Sequence, residues 1–247
     1  TDISISNSIM TAVENPAQPL FSAEFQSGFQ HDRPKLMPSS IDLSSQLCIA
    51  GGMNAINYYL FVGGRNPEGS GLMGSVHDWQ APIGARGELR GSYHRIRELI
   101  SIVRSFEGEL LNAVPAFDTW FGFISSYYAG EFFAPDGSPF ASIKAHRDMA
   151  TFDGLLRGLF LLNYTAGAVD LEAVEGIDPT ERPVLWVFSG DFMPAGVQRK
   201  LVRYMESGGR LVLFPVLPER DEHGRECAII RDRLSVEKGR ERDWSMA

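Results

Sequence analysis

The chain has 247 residues, 44% of them apolar, which is enough for one large domain or two modest ones with their own cores. Its net charge of -8 argues against a surface that binds polyanions, so we expect no nucleic-acid partner. No apolar run approaches the roughly 20 residues that span a bilayer, and residues 1–10 lack the basic lead of a signal peptide. We therefore expect no membrane partner. The two cysteines, Cys48 and Cys227, form neither a disulfide framework nor a zinc-ligand pair.

The first predicted elements are a strand and a helix on either side of a glutamate. Residues 1–20 are polar and irregular. The apolar run Leu20–Ala23 predicts a short buried strand that ends at Glu24. A helix is predicted over Ile41–Ala50, with a serine at its start and two glycines at its end.

A second strand and helix follow in the same order. Ala55–Val62 is an aromatic-rich strand, and the glycine-rich and proline-rich loop 65–87 is longer than an ordinary connection. Ser92 is then expected to cap a helix with apolar residues at helical spacing. Carboxylate and aromatic residues at strand ends match part of a (β/α) barrel, whose catalytic groups lie at the carboxyl ends of its strands. Two βα units cannot close a barrel of eight, so these residues are predicted to be a fragment of one.

The hydrophobic pattern of residues 107–247 predicts a separate, open α/β domain. Strands that are apolar throughout alternate with helices, which indicates a parallel sheet covered on both faces. The predicted strands lie at 116–128, 169–174, 183–188 and 211–216, and the predicted helices at 146–162 and 194–207.

Three segments carry a more specific pattern: AEFQSGF at 23–29, NYYLFVGGRN at 57–66 and HDWQAPI at 77–83. They resemble, in the same order along the chain, three motifs of family 35 glycoside hydrolases, the β-galactosidases. These motifs are the Glu-x-x-x-Gly-aromatic nucleophile motif, the signature of the last barrel strand, and the segment Tyr-Asp-Tyr-Asp-Ala-Pro-Leu. Residues 87–99 resemble the family's final barrel helix. The second half resembles the flavodoxin-like domain that follows the barrel in many bacterial β-galactosidases.

The resemblance implies an α/β architecture in two parts. Residues 1–106 would be the C-terminal part of a glycosidase (β/α)8 TIM barrel, carrying its last two βα units. Residues 107–247 would be an incomplete flavodoxin-like domain, of the trimerisation or amidotransferase-like kind, through which a homo-oligomer could form.

The resemblance also implies a retaining exo-glycosidase that acts on terminal β-galactosides or related oligosaccharides. Glu24 would be the nucleophile, and the sugar would contact Asn57, Tyr59, Asp78 and Trp79. Because the Asn-Glu segment that carries the family's acid/base lies outside these residues, we expect the chain alone to be inactive.

The segment 77–83 departs from the family pattern. His77 and Trp79 replace tyrosines. At Trp79 stacking on the sugar could survive while one hydrogen bond changes, and His77, a lone loop histidine, is expected to be solvated. Asp78 could orient a sugar hydroxyl or merely hold a loop turn. These departures leave open a non-catalytic carbohydrate-binding or structural protein with a degenerate site. A glutamine amidotransferase is a further alternative, but Cys227 lacks the tight strand-to-helix elbow that such a nucleophile needs.

We predict no metal site and no cofactor. The pairs His31-Asp32 and His77-Asp78 are isolated and fall short of a ligand constellation. The glycine-rich segment 63–74 lacks the lysine pattern of a phosphate-binding loop.

Overall fold

The computed structural model describes residues 2–15, 17–28, 36–71, 74–129, 143–144 and 147–234. The chain divides into two compact units, 2–115 and 116–247. None of the helices in the described ranges has the length and apolarity that a bilayer crossing requires.

The first unit alternates helices with short strands. Its first two strands pair in parallel, and the next two pair in antiparallel fashion. The predicted order of strand, helix, strand and helix is found between residues 21 and 105, except that two further short strands precede the last helix. That helix begins after Arg90, so the prediction that Ser92 caps it was wrong. The elements are α1 (Asp2–Val13), β1 (Phe21–Gln26), α2 (Pro38–Ala50), β2 (Ala55–Tyr59), β3 (Gly64–Arg65), β4 (Val76–His77), α3 (Gly91–Ser105) and α4 (Glu107–Asn112).

The boundary between the units lies after Pro115, later than the boundary predicted at Phe106. The reason is that α4 contacts α3 and so belongs to the first unit.

The prediction of an irregular start was wrong, because residues 2–13 form α1. Serine and asparagine are weak helix formers because their side chains compete for backbone hydrogen bonds. A tertiary contact stabilises this helix instead: the buried Asn7 amide donates to the carbonyl oxygen of Cys48 in α2 at 3.0 Å.

The second unit is built on a four-stranded parallel sheet in the order β6-β5-β7-β8. This is the order of the first four strands of a flavodoxin-like sheet. The prediction of a mixed α/β chain with parallel sheets is therefore confirmed. The elements are β5 (Thr119–Phe123), α5 (Ser126–Ala129), a π-helix (Asp148–Leu156) that continues into α6 (Arg157–Leu161), β6 (Ala166–Asp170), β7 (Val184–Ser189), α7 (Ala195–Glu206), β8 (Arg210–Pro215) and α8 (Ile229–Leu234).

The core of this unit lies between the sheet and α7. Leu185 and Val187 of β7 and Leu201 of α7 are fully buried. These positions explain why α7 has one strongly apolar stripe, since a helix on a sheet buries one face only.

The helix predicted over 146–162 has a different winding from the one expected. Residues 148–156 form a π-helix, in which the apolar side chain of Met149 is 65% exposed. Hydrogen bonds from i to i+5 rotate each side chain away from the position that a 3.6-residue period gives it. His146 lies outside the described residues.

Candidate active site

Glu24 and Tyr59 lie on neighbouring strands. β1 and β2 run parallel, with Ser22 opposite Ile56 and Phe25 opposite Tyr58. Three residue steps along β1 therefore match two steps along β2. The extra residue forms a bulge at Ala23 and Glu24, opposite the single residue Asn57.

Asn57 holds this bulge in place. Its side-chain amide donates a 2.8 Å hydrogen bond to the carbonyl oxygen of Ala23. The strand continues through Glu24 to Gln26 and is exposed at several positions. The sequence-based expectation of a buried strand ending at Glu24 was therefore wrong: Glu24 lies inside an exposed strand, where the bulge sets its direction.

The two faces of the strand pair differ. Phe25 and Tyr58 pack edge to face at 5.4 Å, and the Tyr58 hydroxyl lies 2.9 Å from that of Ser45 in α2. This face is covered by α2. Successive strand side chains point to opposite faces, and Glu24, Asn57 and Tyr59 are exposed, Tyr59 by 44%. The structure thus brings these three predicted residues to the uncovered face of one strand pair.

The Glu24 carboxylate is open to solvent. Within the described part of the chain it forms no hydrogen bond or ion pair, and no group of three or more potential metal ligands surrounds it or any other described residue. An uncommitted carboxylate on this face can act as a nucleophile or contact a ligand directly.

The carboxyl ends of β1 and β2 meet at Gly28. The hydroxyl and the backbone N–H of Ser27 both donate to the Tyr59 carbonyl oxygen, the hydroxyl at 3.2 Å. A Cβ atom on Gly28 would lie 2.8 Å from the Trp79 carbonyl oxygen and 2.9 Å from that of Leu60. Only glycine fits there, so the loop with Trp79 packs directly against the end of the strand that carries Glu24.

Trp79 and Gln80 are the central residues of a tight turn. Their φ angles are 44° and 60°, and the N–H of Ala81 donates to the Asp78 carbonyl oxygen at 3.0 Å. Positive φ at both central residues is the pattern of a type I′ turn. The Gln80 side-chain oxygen also accepts a 2.8 Å hydrogen bond from the N–H of Leu36.

Asp78 binds its own loop. Its carboxylate accepts hydrogen bonds from the Arg90 guanidinium at 2.5 Å and from the N–H of Ala85 at 3.1 Å. Desolvation acts to raise the pKa of Asp78, but these hydrogen bonds outweigh it and hold the pKa below its usual range. These contacts hold the loop, which is one of the two roles for Asp78 that the sequence left open. Sequence reasoning missed Arg90, because no spacing rule links it to Asp78.

A groove of about 510 Å³ lies at the other end of β2. It is lined by apolar side chains that include Ile56, Leu99, Val103 and Leu111. Catalytic groups of parallel βα units lie at the carboxyl ends of strands, and this groove adjoins the amino end. We therefore do not assign it to the candidate site.

In the described part of the second unit, no comparable opening lies between β5 and β7. Tyr127 fills this crevice among the described residues and is 3% exposed. Its hydroxyl donates to the carbonyl oxygen of Phe192 and accepts a 3.2 Å hydrogen bond from the N–H of Gly190. Burial raises the pKa of the Tyr127 hydroxyl. Ligands of such sheets usually bind at this switch point, which here is occupied by the protein itself.

Cys227, the candidate nucleophile of the amidotransferase alternative, lies two residues before α8. Its N–H donates to the Glu219 carbonyl oxygen at 2.8 Å, and its own carbonyl oxygen accepts from the Gln198 amide at 3.2 Å. These contacts tie the segment to α7.

Comparison with known proteins identifies relatives that act on sugars. A family described as "GLMA-like, second domain" matches residues 137–245. An exo-β-D-glucosaminidase from Thermococcus kodakarensis is 34% identical over 235 residues, which cover 93% of this chain and 29% of that protein. A β-1,2-glucosyltransferase from Ignavibacterium album is 28% identical over 242 residues, covering 94% of this chain and 34% of that protein. The chain thus spans about a third of the length of these curated relatives.

Solved structures show the same fold. A catalytic mutant of Gan42B, a GH42 β-galactosidase from G. stearothermophilus, superposes with a TM-score of 0.66 at 15% identity, over 91% of this chain and 31% of that chain. The chain has a glycoside-hydrolase-like fold. The structure of a β-galactosidase from the psychrophilic Marinomonas ef1 superposes on this chain with a TM-score of 0.65 at 11% identity. The match covers 94% of this chain and 34% of that one.

Proposed function

We propose that this chain supplies part of the active site of a retaining, exo-acting β-glycosidase, with Glu24 as the nucleophile. The observation that carries the proposal is that Glu24, Asn57 and Tyr59 share the uncovered face of two adjacent parallel strands. The bulge at Ala23 and Glu24 supports it further, because bulges often re-aim side chains next to active sites.

The mechanism needs two carboxyl groups about 5–5.5 Å apart. Glu24 would attack the anomeric carbon while the second group protonates the departing aglycone oxygen. Water, deprotonated by that second group, would then release the sugar from Glu24. We assign the second carboxyl group to a part of the parent protein outside these 247 residues. The isolated chain should therefore not turn over a nitrophenyl β-glycoside.

The residues around Glu24 have distinct proposed roles. Asn57 faces the sugar and fixes the bulge through its bond to Ala23. The exposed Tyr59 offers a hydroxyl near the nucleophile, and Trp79 offers a flat ring for the apolar face of the sugar. Asp78 is proposed to contribute to sugar binding by holding the loop that carries Trp79.

The barrel assignment supports this arrangement. We propose that β1, α2, β2 and α3 are the last two βα units of a (β/α)8 barrel. Within the described residues β1 pairs with β2 alone, so its other edge is open for a preceding barrel strand. We further propose that the α/β unit contributes to a homo-oligomer of the parent.

The substrate class is proposed to be a terminal β-linked hexose. The resemblance of the three motifs to family 35 favours a β-galactoside, and the GH42 neighbours share that activity by name. The 34% identical exo-β-D-glucosaminidase favours a β-glucosaminide. Comparing kcat/KM of the full-length parent on nitrophenyl β-galactoside and nitrophenyl β-glucosaminide decides between them.

Covalent trapping tests the nucleophile directly. In a 2-deoxy-2-fluoro-β-galactosyl fluoride, or its glucosyl counterpart, the 2-fluoro group slows both steps of a retaining enzyme. The fluoride leaving group speeds the first step only, so the glycosyl-enzyme accumulates. Treated full-length parent should carry one sugar on the peptide that contains Glu24. A label on another peptide would remove Glu24 from the nucleophile role.

A second candidate is transfer of the same glycosyl group to a sugar acceptor, which the 28% identical β-1,2-glucosyltransferase favours. Both activities share the glycosyl-enzyme, so a disaccharide product in the presence of acceptor identifies transfer. Sugar binding without turnover or trapping would instead support the non-catalytic alternative.

A further inference from the structure

The turn at Asp78–Ala81 has an unfavourable local conformation. Trp79 and Gln80 both have positive φ angles, 44° and 60°. Residues with a Cβ atom disfavour positive φ, and the central positions of type I′ turns are normally asparagine or glycine. Such a conformation persists only where surrounding contacts fix it.

Arg90 makes the contacts that bridge this turn. Its Nη2 atom donates to the Asp78 carboxylate at 2.5 Å, and its Nη1 atom donates to the Ala81 carbonyl oxygen at 3.2 Å. One guanidinium therefore binds the first and the last residue of the turn. Glu88 accepts a further 3.0 Å hydrogen bond from Nη2, which orients the guanidinium.

The backbone of Arg90 is anchored next to the same turn. Its N–H donates to the Pro82 carbonyl oxygen at 2.9 Å. On the other side of the turn, the Trp79 carbonyl oxygen lies against Gly28, at the end of the strand that carries Glu24. The position of the Trp79 backbone is thus set by Arg90 on one side and by β1 on the other.

We infer that Arg90 is a positioning residue: by clamping the ends of the turn it holds the Trp79 ring where the sugar binds. This inference rests on the proposed function. Lysine cannot replace arginine here, because a single ammonium group lacks the two N–H directions of the guanidinium fork.

The test compares Trp79→Ala, Arg90→Lys and the double variant in the full-length parent. Loss of an aromatic platform should raise KM about tenfold, and Arg90→Lys should raise KM by a similar factor while kcat changes less. The double variant should be no worse than Trp79→Ala alone, because a clamp has no effect on an absent ring. Arg97→Lys, at an exposed position of α3, is the matched control.

A rescue separates positioning from general destabilisation. Glycine adopts positive φ without strain, so adding Gln80→Gly to Arg90→Lys should reverse part of the rise in KM that Arg90→Lys causes. Three results would overturn the inference while leaving the proposed function intact. They are increases in KM that add in the double variant, an unchanged KM in Arg90→Lys, and no effect of Gln80→Gly on the raised KM. An unchanged KM in Trp79→Ala would overturn it together with the sugar-binding role proposed for Trp79.

Discussion

The two parallel sheets of this chain end differently at their carboxyl edges. At the end of β1 and β2, Glu24 and Tyr59 are exposed. At the end of β5, β6 and β7, Tyr127, Asp170 and Ser189 are buried and hydrogen-bonded inside the protein. Polar groups that pair inward stabilise a fold, whereas groups left unpaired at a strand end are available to a ligand. We therefore propose that the first edge carries the chemistry, whereas in the described part of the chain the second edge is closed by its own side chains.

The sharpest test of this contrast is Glu24→Gln in the full-length parent. The amide keeps the shape of the side chain but cannot act as the nucleophile, so kcat should fall by roughly three or more orders of magnitude. Steady-state kinetics on the preferred nitrophenyl glycoside measure the effect. Glu109→Gln, at an exposed position of α4, should leave kcat unchanged. A loss below tenfold at Glu24 would contradict the assignment.

Tyr127→Ala tests the closed edge. Removing the buried ring should cost about 3–5 kcal/mol of the free energy of unfolding of the α/β unit. Tyr127→Phe should cost about 1–3 kcal/mol, because it leaves the N–H of Gly190 without its partner. Denaturant titration followed by circular dichroism measures both changes. If kcat falls in a folded Tyr127→Phe variant, the edge filled by Tyr127 has a role in the chemistry. That result would contradict the proposed difference between the two sheets.

Gly28→Ala tests the contact that joins β1 to the Trp79 turn. The added Cβ atom would meet two backbone oxygens, so the turn must move, at a cost of about 1–3 kcal/mol. KM should rise along with the loss of stability. Gly108→Ala is the matched control: it has no heavy atom within 4 Å of the new Cβ and lies in a helix, where alanine stabilises by about 0.5–1 kcal/mol. Equal effects of the two changes would contradict this account.

The smallest expected effect is the pH dependence that Asp78 contributes. Its pKa is lower in the folded chain than in the unfolded chain, so its stabilising effect is present above the unfolded pKa of about 3.9 and is lost as pH falls through the folded pKa. Because 43% of the Asp78 side chain is exposed, we expect Asp78 to contribute less than about 1 kcal/mol to the free energy of unfolding. The difference in Tm between the wild type and Asp78→Asn should shrink from roughly pH 6 to pH 2; a constant difference would argue against it.

The second unit was the easier one to predict. β7, α7 and β8 were expected at 183–188, 194–207 and 211–216, and they lie at Val184–Ser189, Ala195–Glu206 and Arg210–Pro215. Continuous apolar runs between helix-stopping glycines are local signals, and a buried parallel sheet obeys them. The π-helix escaped prediction because its winding departs from the period on which such signals depend.

For the candidate site, the motifs picked out two strands that the fold does pair, but the local geometry of those strands was not predictable. The motifs indicated Glu24, Asn57 and Tyr59, and these residues do lie on one strand pair. The bulge was hidden because it is a mismatch between two strands far apart in sequence. The Trp79-Gln80 turn contradicts local turn preferences, so only the contacts of Arg90 reveal why it forms.

The extra residue in β1 has a consequence for protein engineering. Ala23 and Glu24 together occupy the space opposite Asn57, so deleting one of them would restore one-to-one pairing between β1 and β2 and remove the bulge in which Glu24 lies. A chimera made with a relative should therefore keep Ser22 to Phe25 from one parent and join the sequences elsewhere. A library that varies the length of this segment would lose the carboxylate's direction even when the glutamate itself is retained.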